Sequence, residues 1–553
     1  MEVALETDIP TYAGGLGVLA GDTLRSAADL ALPMVGVTLL YRKGYFLQRI
    51  DDAGRQHEEP VVWEPGKRLR RLDAACPVEV EGRAVVVRAW EYRITGVTGA
   101  LVPVLLLDTD LPENDPRDRS LTDQLYGGDA RYRLAQEIIL GIGGVRMLRA
   151  LGHDPDRFHL NEGHAALLTL ERFREEVGRQ PQATREAIDR VRDGCVFTTH
   201  TPVRAGHDEF PLDLARDILG AEAVETLTAL ECTNHGLDMT RIALQLSGYV
   251  NGVSRRHAQV TRSMFPGHDI APITNGVHSV TWTAPSFREL YDRAIPNWRR
   301  DPLALRYVLT LPVEVVWEAH QAAKARLVLE VNARFHAGFQ PEVFTLGFAR
   351  RATAYKRPAL LFQYPDRLRR MAAEHGGLQV VFAGKAHPKD EKGKQLIQRV
   401  IAVQKELAPD VKVLYLPNYS MELGALVTSG VDVWVNTPKP PHEASGTSGM
   451  KAAHNGVPSL STIDGWWVEG HVEGVTGWAI GPHDAAAAAA RSDEEDARDL
   501  YRALEEVILP LYRDDRRRWM EVLRSTLALN ASFFNTHRML QEYLLQAYRN
   551  GGP

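Results

Sequence analysis

The chain predicts an α/β protein built from two doubly wound domains, and three observations carry that expectation. Its 553 residues exceed what one hydrophobic core organises. Short apolar runs alternate with stretches of helical spacing, the pattern left by parallel, helix-covered sheets. The pattern then restarts at Glu342, beyond a stretch over 296–312 that carries Trp298 and basic residues and marks the junction. The expected division is 1–300, 301–530 and a C-terminal helix over 531–553.

The first domain opens on Gly14, Gly15, Leu16 and Gly17, a Gly-rich loop leading into a helix whose apolar side holds Leu24, Ala27, Ala28 and Ala31. Backbone amides at such a start cradle anions. A strand follows over 34–41, then β-rich stretches over 84–90 and 101–107, the last a continuous apolar run suited to a buried strand. Leu134, Ile138, Ile142, Val145 and Leu148 predict a helix over 132–151, capped by Gly152. Helix 163–177, strand 195–199, helix 240–247 and strand 270–274 continue the alternation. The second domain places strands over 343–348, 378–383, 411–416, 431–435 and 458–461, with helices between. The Ala run over 485–490 reads as a surface helix.

Composition narrows the function classes. Hydrophobic residues at 44% and charged residues at 25% suit a soluble globular enzyme. A formal charge of −6 argues against nucleic-acid partners, which call for a basic face. Cys76, Cys195 and Cys232 are too scattered for a disulfide framework, no apolar run reaches membrane length, and the opening Met1 to Asp8 lacks a basic or apolar leader region, so no export is expected. A reducing cytoplasm is the expected compartment, with no membrane partner.

Four segments carry candidate chemistry. His442 to Gly456 joins small residues, the hydroxyls of Ser445, Thr447 and Ser448, the carboxylate of Glu443 and a single lysine, Lys451, entering an Ala-rich helical run. Arg350, Arg351, Lys356 and Arg357 follow a buried strand, at the sheet edge where α/β ligand sites form. Asn275-Gly276 alone says only "turn". His159, Glu162 and His164 tempt a metal reading, but lack the His-Glu-x-x-His spacing of one helix face, so no metal is expected.

Set in order, these motifs resemble the α-glucan phosphorylases, the glycogen, starch and maltodextrin phosphorylase family. Glu443-Ala444-Ser445-Gly446-Thr447-Ser448-Gly449-Met450-Lys451 is similar to that family's pyridoxal phosphate (PLP) lysine motif, Glu-Ala-Ser-Gly-Thr-Gly-Asn-Met-Lys. It departs at Ser448 and Gly449, and His454 stands where Leu or Met is usual. Arg350 to Arg357, Ile273 to Trp282, Val250 to His257, Gly14 to Gly17, Ala383 to Pro388, Leu416 to Tyr419 and Ile463 to Glu469 match further motifs in family order, although Thr353 and Ala354 replace a His-Glu pair and Trp466-Trp467 is a departure.

The resemblance implies a GT-B fold, two Rossmann-like domains facing across a cleft, with the final helix crossing back onto the first. It implies Lys451 as the cofactor lysine, with Arg350, Thr447, Ser448, Tyr419 and Trp282 around PLP. Arg351 and Lys356 would meet the substrate phosphate. Gly14, Gly15, Leu16, Asn275, His257, Tyr355, Glu443, Ser445 and Gly446 would meet sugar or phosphate, with His257 on the glucosyl unit. The implied reaction is retaining phosphorolysis of terminal α-1,4-glucosidic bonds by inorganic phosphate, releasing α-D-glucose 1-phosphate. Phosphate protonates the leaving oxygen and then attacks, while the PLP phosphate exchanges a proton with it. A homodimer, and a short form without a regulatory N-terminal extension, follow from the same resemblance. Two alternatives stay open: a nucleotide-sugar-dependent glucan synthase on a similar fold, and a glucan-binding relative without turnover.

Overall fold

The computed structural model describes residues 1–179, 184–203 and 206–549, so the last four residues of the expected 531–553 helix lie outside the described residues. The chain is mixed α/β with parallel sheets, divided into two compact units. The first comprises Met1–Phe46, Pro60–Ile273 and Leu540–Pro553, the second Leu47–Glu59 and Thr274–Met539. The main division thus falls at Ile273, upstream of 296–312. That stretch forms the Pro302–Thr310 turns and buries Trp298 inside the second unit, because Trp298 packs on Tyr291 and donates to Asp292.

The first unit holds two sheets of four strands. One runs Ala271–Pro272, Tyr249–Gly252, Cys195–Thr199, Phe158–Asn161, all parallel and with Cys195–Thr199 fully buried. In the other, Gly36–Leu39 pairs in parallel with Leu101–Asp108, but Arg83–Thr95 and Arg70–Val80 add antiparallel strands. Alternating exposure along Arg70–Val80 leaves one face to solvent, which an antiparallel ladder tolerates and a doubly wound sheet does not. The predicted 132–151 helix is one rod with a wider turn over Ile139–Gly143. Gly141 sits at that turn because a Cβ there would stand 2.7 Å from the Leu168 nitrogen. In the same unit Tyr548 meets His159 Nδ1 at 2.6 Å, and Tyr543 accepts from Asn251 Nδ2 at 3.0 Å, fastening residues 540–549 to two strand ends.

The second unit contains a six-stranded parallel sheet. Its order is Lys412–Leu416, Leu378–Ala383, Phe344–Ala349, Val433–Asn436, Ser459–Thr462, Gly477–Ile480. The order reverses between Phe344–Ala349 and Val433–Asn436, and ligands of doubly wound sheets bind beyond the strand ends at that reversal. Gly477–Ile480, a sixth strand the apolar pattern did not announce, holds only four residues and opens on Gly477 at φ +148°, where a Cβ would meet the Ser459 carbonyl at 2.1 Å. The opposite ends of the reversing strands are stapled by a buried charge cluster. Asp432 accepts from Lys324 Nζ at 2.6 Å and from the Thr345 nitrogen at 2.7 Å, and lies 3.1 Å from His320 Nε2.

Burial alone would raise the Asp432 carboxyl, but Lys324 and then His320 override it and hold it below the usual carboxylate range. The cluster therefore contributes stability present above the ordinary carboxylate value, about 4, and lost as pH falls below it. Lys324→Met is expected to cost about 3–5 kcal/mol by leaving Asp432 buried without its main partner, measured by denaturant unfolding. Its deficit should shrink at acid pH.

Candidate active site

At the reversal point three charged side chains meet. The strand Phe344–Ala349 delivers Arg350, and the turn after it delivers Lys356; the loop beyond Val433–Asn436 delivers Glu443. Glu443 Oε2 lies 2.7 Å from Arg350 Nη1 and 2.6 Å from Lys356 Nζ, and all three side chains are more than nine-tenths buried. Burial opposes ionisation of Glu443 most strongly, yet the Arg350 and Lys356 charges and their hydrogen bonds outweigh it, so its carboxyl sits below the ordinary range. The Glu443 loop is itself pinned: Asp464 accepts from the Glu443 nitrogen at 2.8 Å, and the Trp466 nitrogen donates to the Ser445 carbonyl at 2.8 Å.

Of the predicted cations, Arg351 is exposed on the same loop. Arg357 is spent on structure: it sits at φ +47°, donates to the Thr437 and Pro438 carbonyls, and pairs with Asp493 and Asp496 at 2.8 Å. Tyr355 is partly exposed, with Lys356 Nζ 4.5 Å above its ring.

The loop then enters the helix Thr447–Ala453 through Gly446 at φ +92°. Thr447 and Ser448 occupy its first turn, and Ser448 Oγ accepts from Trp434 Nε1 at 3.2 Å, which leaves its own proton to donate. Lys451 is buried, its Nζ 3.7 Å from the centre of the Trp282 ring. A Cβ on Gly424 would stand 2.6 Å from Tyr419 Oη and 3.7 Å from Trp282, which places Tyr419 beside the same indole.

The departures from the lysine motif have structural reasons. Gly449 faces Trp466, where a Cβ would meet the ring at 2.7 Å, so the small residue and the added indole are complementary. Trp466 and Trp467 are both buried, Trp466 against Phe534 at 4.8 Å, and serve packing. His454 is a buried connector, Nδ1 2.8 Å from the Met450 carbonyl and Nε2 3.0 Å from Ser279 Oγ; burial lowers it to about 4. Next to it Asn455 donates to the Trp282 and Lys451 carbonyls and accepts from Ala284 N, tying Lys451 and Trp282 into one frame. Sequence reading missed this Asn.

Asn275 lies in the same unit, buried, beside Gly276, where a Cβ would collide with the Asn535 backbone at 2.2 Å. Among the buried polar atoms of this unit without a hydrogen-bond partner are Asn275 Oδ1, Asn436 Oδ1 and Ser445 Oγ. Such atoms are costly unless a ligand supplies the bonds.

The remaining predicted residues belong to the first unit. The Gly14–Leu16 loop opens the helix Gly15–Asp29, but the anion its amides hold is internal: Glu2 Oε2 accepts from Ala13 N at 2.5 Å and Gly14 N at 3.0 Å. His257 is buried, Nδ1 accepting from Val253 N at 3.2 Å and Nε2 3.3 Å from Thr261 Oγ1; burial lowers it to about 4. His159 and Glu162 are likewise engaged, Glu162 accepting from His200 N and Thr201 Oγ1, both at 2.8 Å.

A family model, "Carbohydrate phosphorylase", matches residues 3–112 and 216–509. The chain belongs to the carbohydrate phosphorylase family. It is 39% identical to the maltodextrin phosphorylase of Thermococcus litoralis, over 99% of this chain and 70% of that protein. It is 38% identical to a glycogen phosphorylase of Mycobacterium tuberculosis, over 99% and 70%, and 35% identical to that of Aquifex aeolicus, over 99% and 85%. Among the described residues no helix is long and apolar enough to cross a membrane, and no cluster of three His, Cys, Asp or Glu side chains converges on a metal position.

The donor set of this carbohydrate phosphorylase fits a phosphorylated aldehyde such as PLP: a buried primary amine on Lys451, first-turn amides and hydroxyls at Thr447 and Ser448, and a tyrosine and an indole alongside. Restoring the family's residue with Gly449→Asn should drive a side chain into Trp466 and cost about 1–3 kcal/mol, read as a lowered melting temperature. Pairing it with Trp466→Leu should recover part of the loss.

Proposed function

We propose that this chain carries out retaining phosphorolysis of terminal α-1,4-glucosidic bonds of maltodextrin-like glucans, passing the glucosyl unit to inorganic phosphate and releasing α-D-glucose 1-phosphate. The observation that carries the reading is a buried lysine amine, Lys451, in the same unit as a buried Arg350–Glu443–Lys356 cluster that follows the switch-point strands.

Glu443 decides how protons move. Held between two cations it stays ionised, which makes it unfit to protonate a leaving glycosidic oxygen as a glycosidase acid does. In the phosphorylase reading the attacking phosphate supplies that proton instead. Arg350 and Lys356 carry two positive charges against one on Glu443, so their surplus favours an arriving dianion, with Arg351 on the same loop to meet the substrate phosphate. Asn275 Oδ1 and Ser445 Oγ offer hydrogen bonds that sugar hydroxyls complete. Lys451 holds PLP, assisted by Thr447, Ser448, Tyr419 and Trp282. When bound, the PLP phosphate supplies a proton-exchanging neighbour for the substrate phosphate.

With this reading goes the GT-B arrangement, in which Gly14, Gly15, Leu16 and His257 of the first unit serve the same substrate. A cytoplasmic homodimer is the accompanying proposal. Lys451→Ala should abolish both the cofactor absorbance and phosphate-dependent release of glucose 1-phosphate from maltodextrin. Arg351→Ala should raise KM for phosphate about tenfold, roughly 1.4 kcal/mol, and leave the cofactor in place. Full phosphorolysis by the Lys451 variant, or turnover that needs a nucleotide sugar, refutes the assignment.

A further inference from the structure

The second unit includes one segment drawn from early in the chain, the antiparallel hairpin Leu47–Ile50 and Gln56–Glu59. Its register, Gln48 opposite Glu58 and Ile50 opposite Gln56, puts Gln48 and Gln56 diagonally on one face, and both are buried. Gln48 Nε2 donates to Gln56 Oε1 at 2.8 Å, so the two amides form one polar bar.

That bar grips the ends of two neighbouring strands. Gln56 makes a reciprocal pair with Ala386, Oε1 accepting from its nitrogen and Nε2 donating to its carbonyl, both at 3.0 Å. Gln48 Nε2 reaches the Gly384 carbonyl at 3.1 Å, an oxygen that also accepts from Tyr415 Oη. A second reciprocal pair joins Gln48 to Asn418: Oε1 accepts from Asn418 N at 2.8 Å, and Gln48 N donates to Asn418 Oδ1 at 3.2 Å. Both residues flanking Lys385 are therefore held, and so is the residue before Tyr419, which sits at φ +54°.

What is held matters to the site. Gly384 approaches so closely that a Cβ would lie 1.8 Å from the Arg350 carbonyl, and the Lys385 carbonyl accepts from Ala352 N at 3.1 Å. Lys385 is thus locked to the backbone that carries Arg350 and Arg351. Tyr419 Oη and the Trp282 ring, over which Lys451 Nζ sits, both stand close to Gly424. The hairpin's own anchorage lies along the helix Glu391–Leu407: Glu58 pairs with Lys394 at 3.2 Å, and the Ala53 and Asp52 carbonyls accept from Gln398 and Lys405 at 3.2 Å. These contacts seat the hairpin but touch none of the site.

We propose that Gln48 and Gln56 are positioning residues, a strap that sets the Lys385 and Tyr419 loops for phosphate and cofactor binding. The inference rests on the phosphorylase reading above. Amide hydrogen exchange is measured on the cofactor-free chain, then PLP release and the separate KM values for phosphate and maltodextrin on the loaded one. In Gln48→Ala the Asn418 amide, and in Gln56→Ala the Ala386 amide, should exchange at least tenfold faster. Phosphate KM should rise about tenfold with faster PLP release, while maltodextrin KM stays within twofold. Gln48→Glu keeps the acceptor for Asn418 N, loses the donor to Gly384, and should spare the Asn418 amide; it serves if an alanine variant fails to fold. Arg49→Ala, which removes only the exposed pair with Glu59, should change nothing.

Unchanged exchange in both alanine variants overturns the strap, whatever the parent's activity. Faster exchange with parental phosphate KM and PLP release overturns its positioning role. A parent chain that neither retains PLP nor phosphorolyses maltodextrin overturns the functional reading instead, a failure visible before any variant is made.

Discussion

Glu443 receives Arg350 and Lys356 across the point where the second unit's sheet reverses order, and the surrounding loops are arranged to keep that meeting in place. Three charges taken out of water are tolerable only when their partners are held at hydrogen-bond distance. The Asp464 carboxylate fixes the Glu443 backbone, and Gly465, where a Cβ would lie 2.4 Å from the Ser445 carbonyl, allows the two loops to touch. Arg357 draws the Thr437–Pro438 segment toward Asp493 and Asp496. The same charges that cost solvation also hold the Glu443 carboxyl below the ordinary range, which makes it a poor general acid.

Around the lysine the supports are of another kind. Lys451 stands on a helix of seven residues, too short to hold itself by helical hydrogen bonding, and its orientation comes from side chains at its far end. His454 and Asn455 reach Ser279, Trp282 and Ala284, so the helix and the indole beside the amine are tied together. Trp466 presses on the first turn from the other side, and Gly449 is the space it needs. Substitutions that looked like losses of the family motif are compensated by residues up to 175 positions away.

Much of this was legible beforehand because it depends on local pattern. Continuous apolar runs place the buried strands of the second sheet to within a few residues, since a strand covered on both faces leaves no other signature. Lys451, Glu443 and Arg350 stand out because a lone lysine in a Gly-Ser run and cations after a buried strand are chemically unusual. Less visible were the polar hairpin around Gln48 and Gln56, whose alternation with charged residues resembles any solvated loop, and Gly477–Ile480, whose four residues carry no periodicity.

By itself the sequence determined the α/β class, the order of the motifs and which side chains are candidates for chemistry, because these follow from residue type and short-range spacing. Only the tertiary structure decided which of the cations converge on Glu443 and which is diverted to Asp493, why Gly449 and His454 are tolerated, and that the anion in the Gly14 loop is Glu2. Each of those outcomes depends on the distance between atoms far apart in the chain, and spacing along the chain does not encode it.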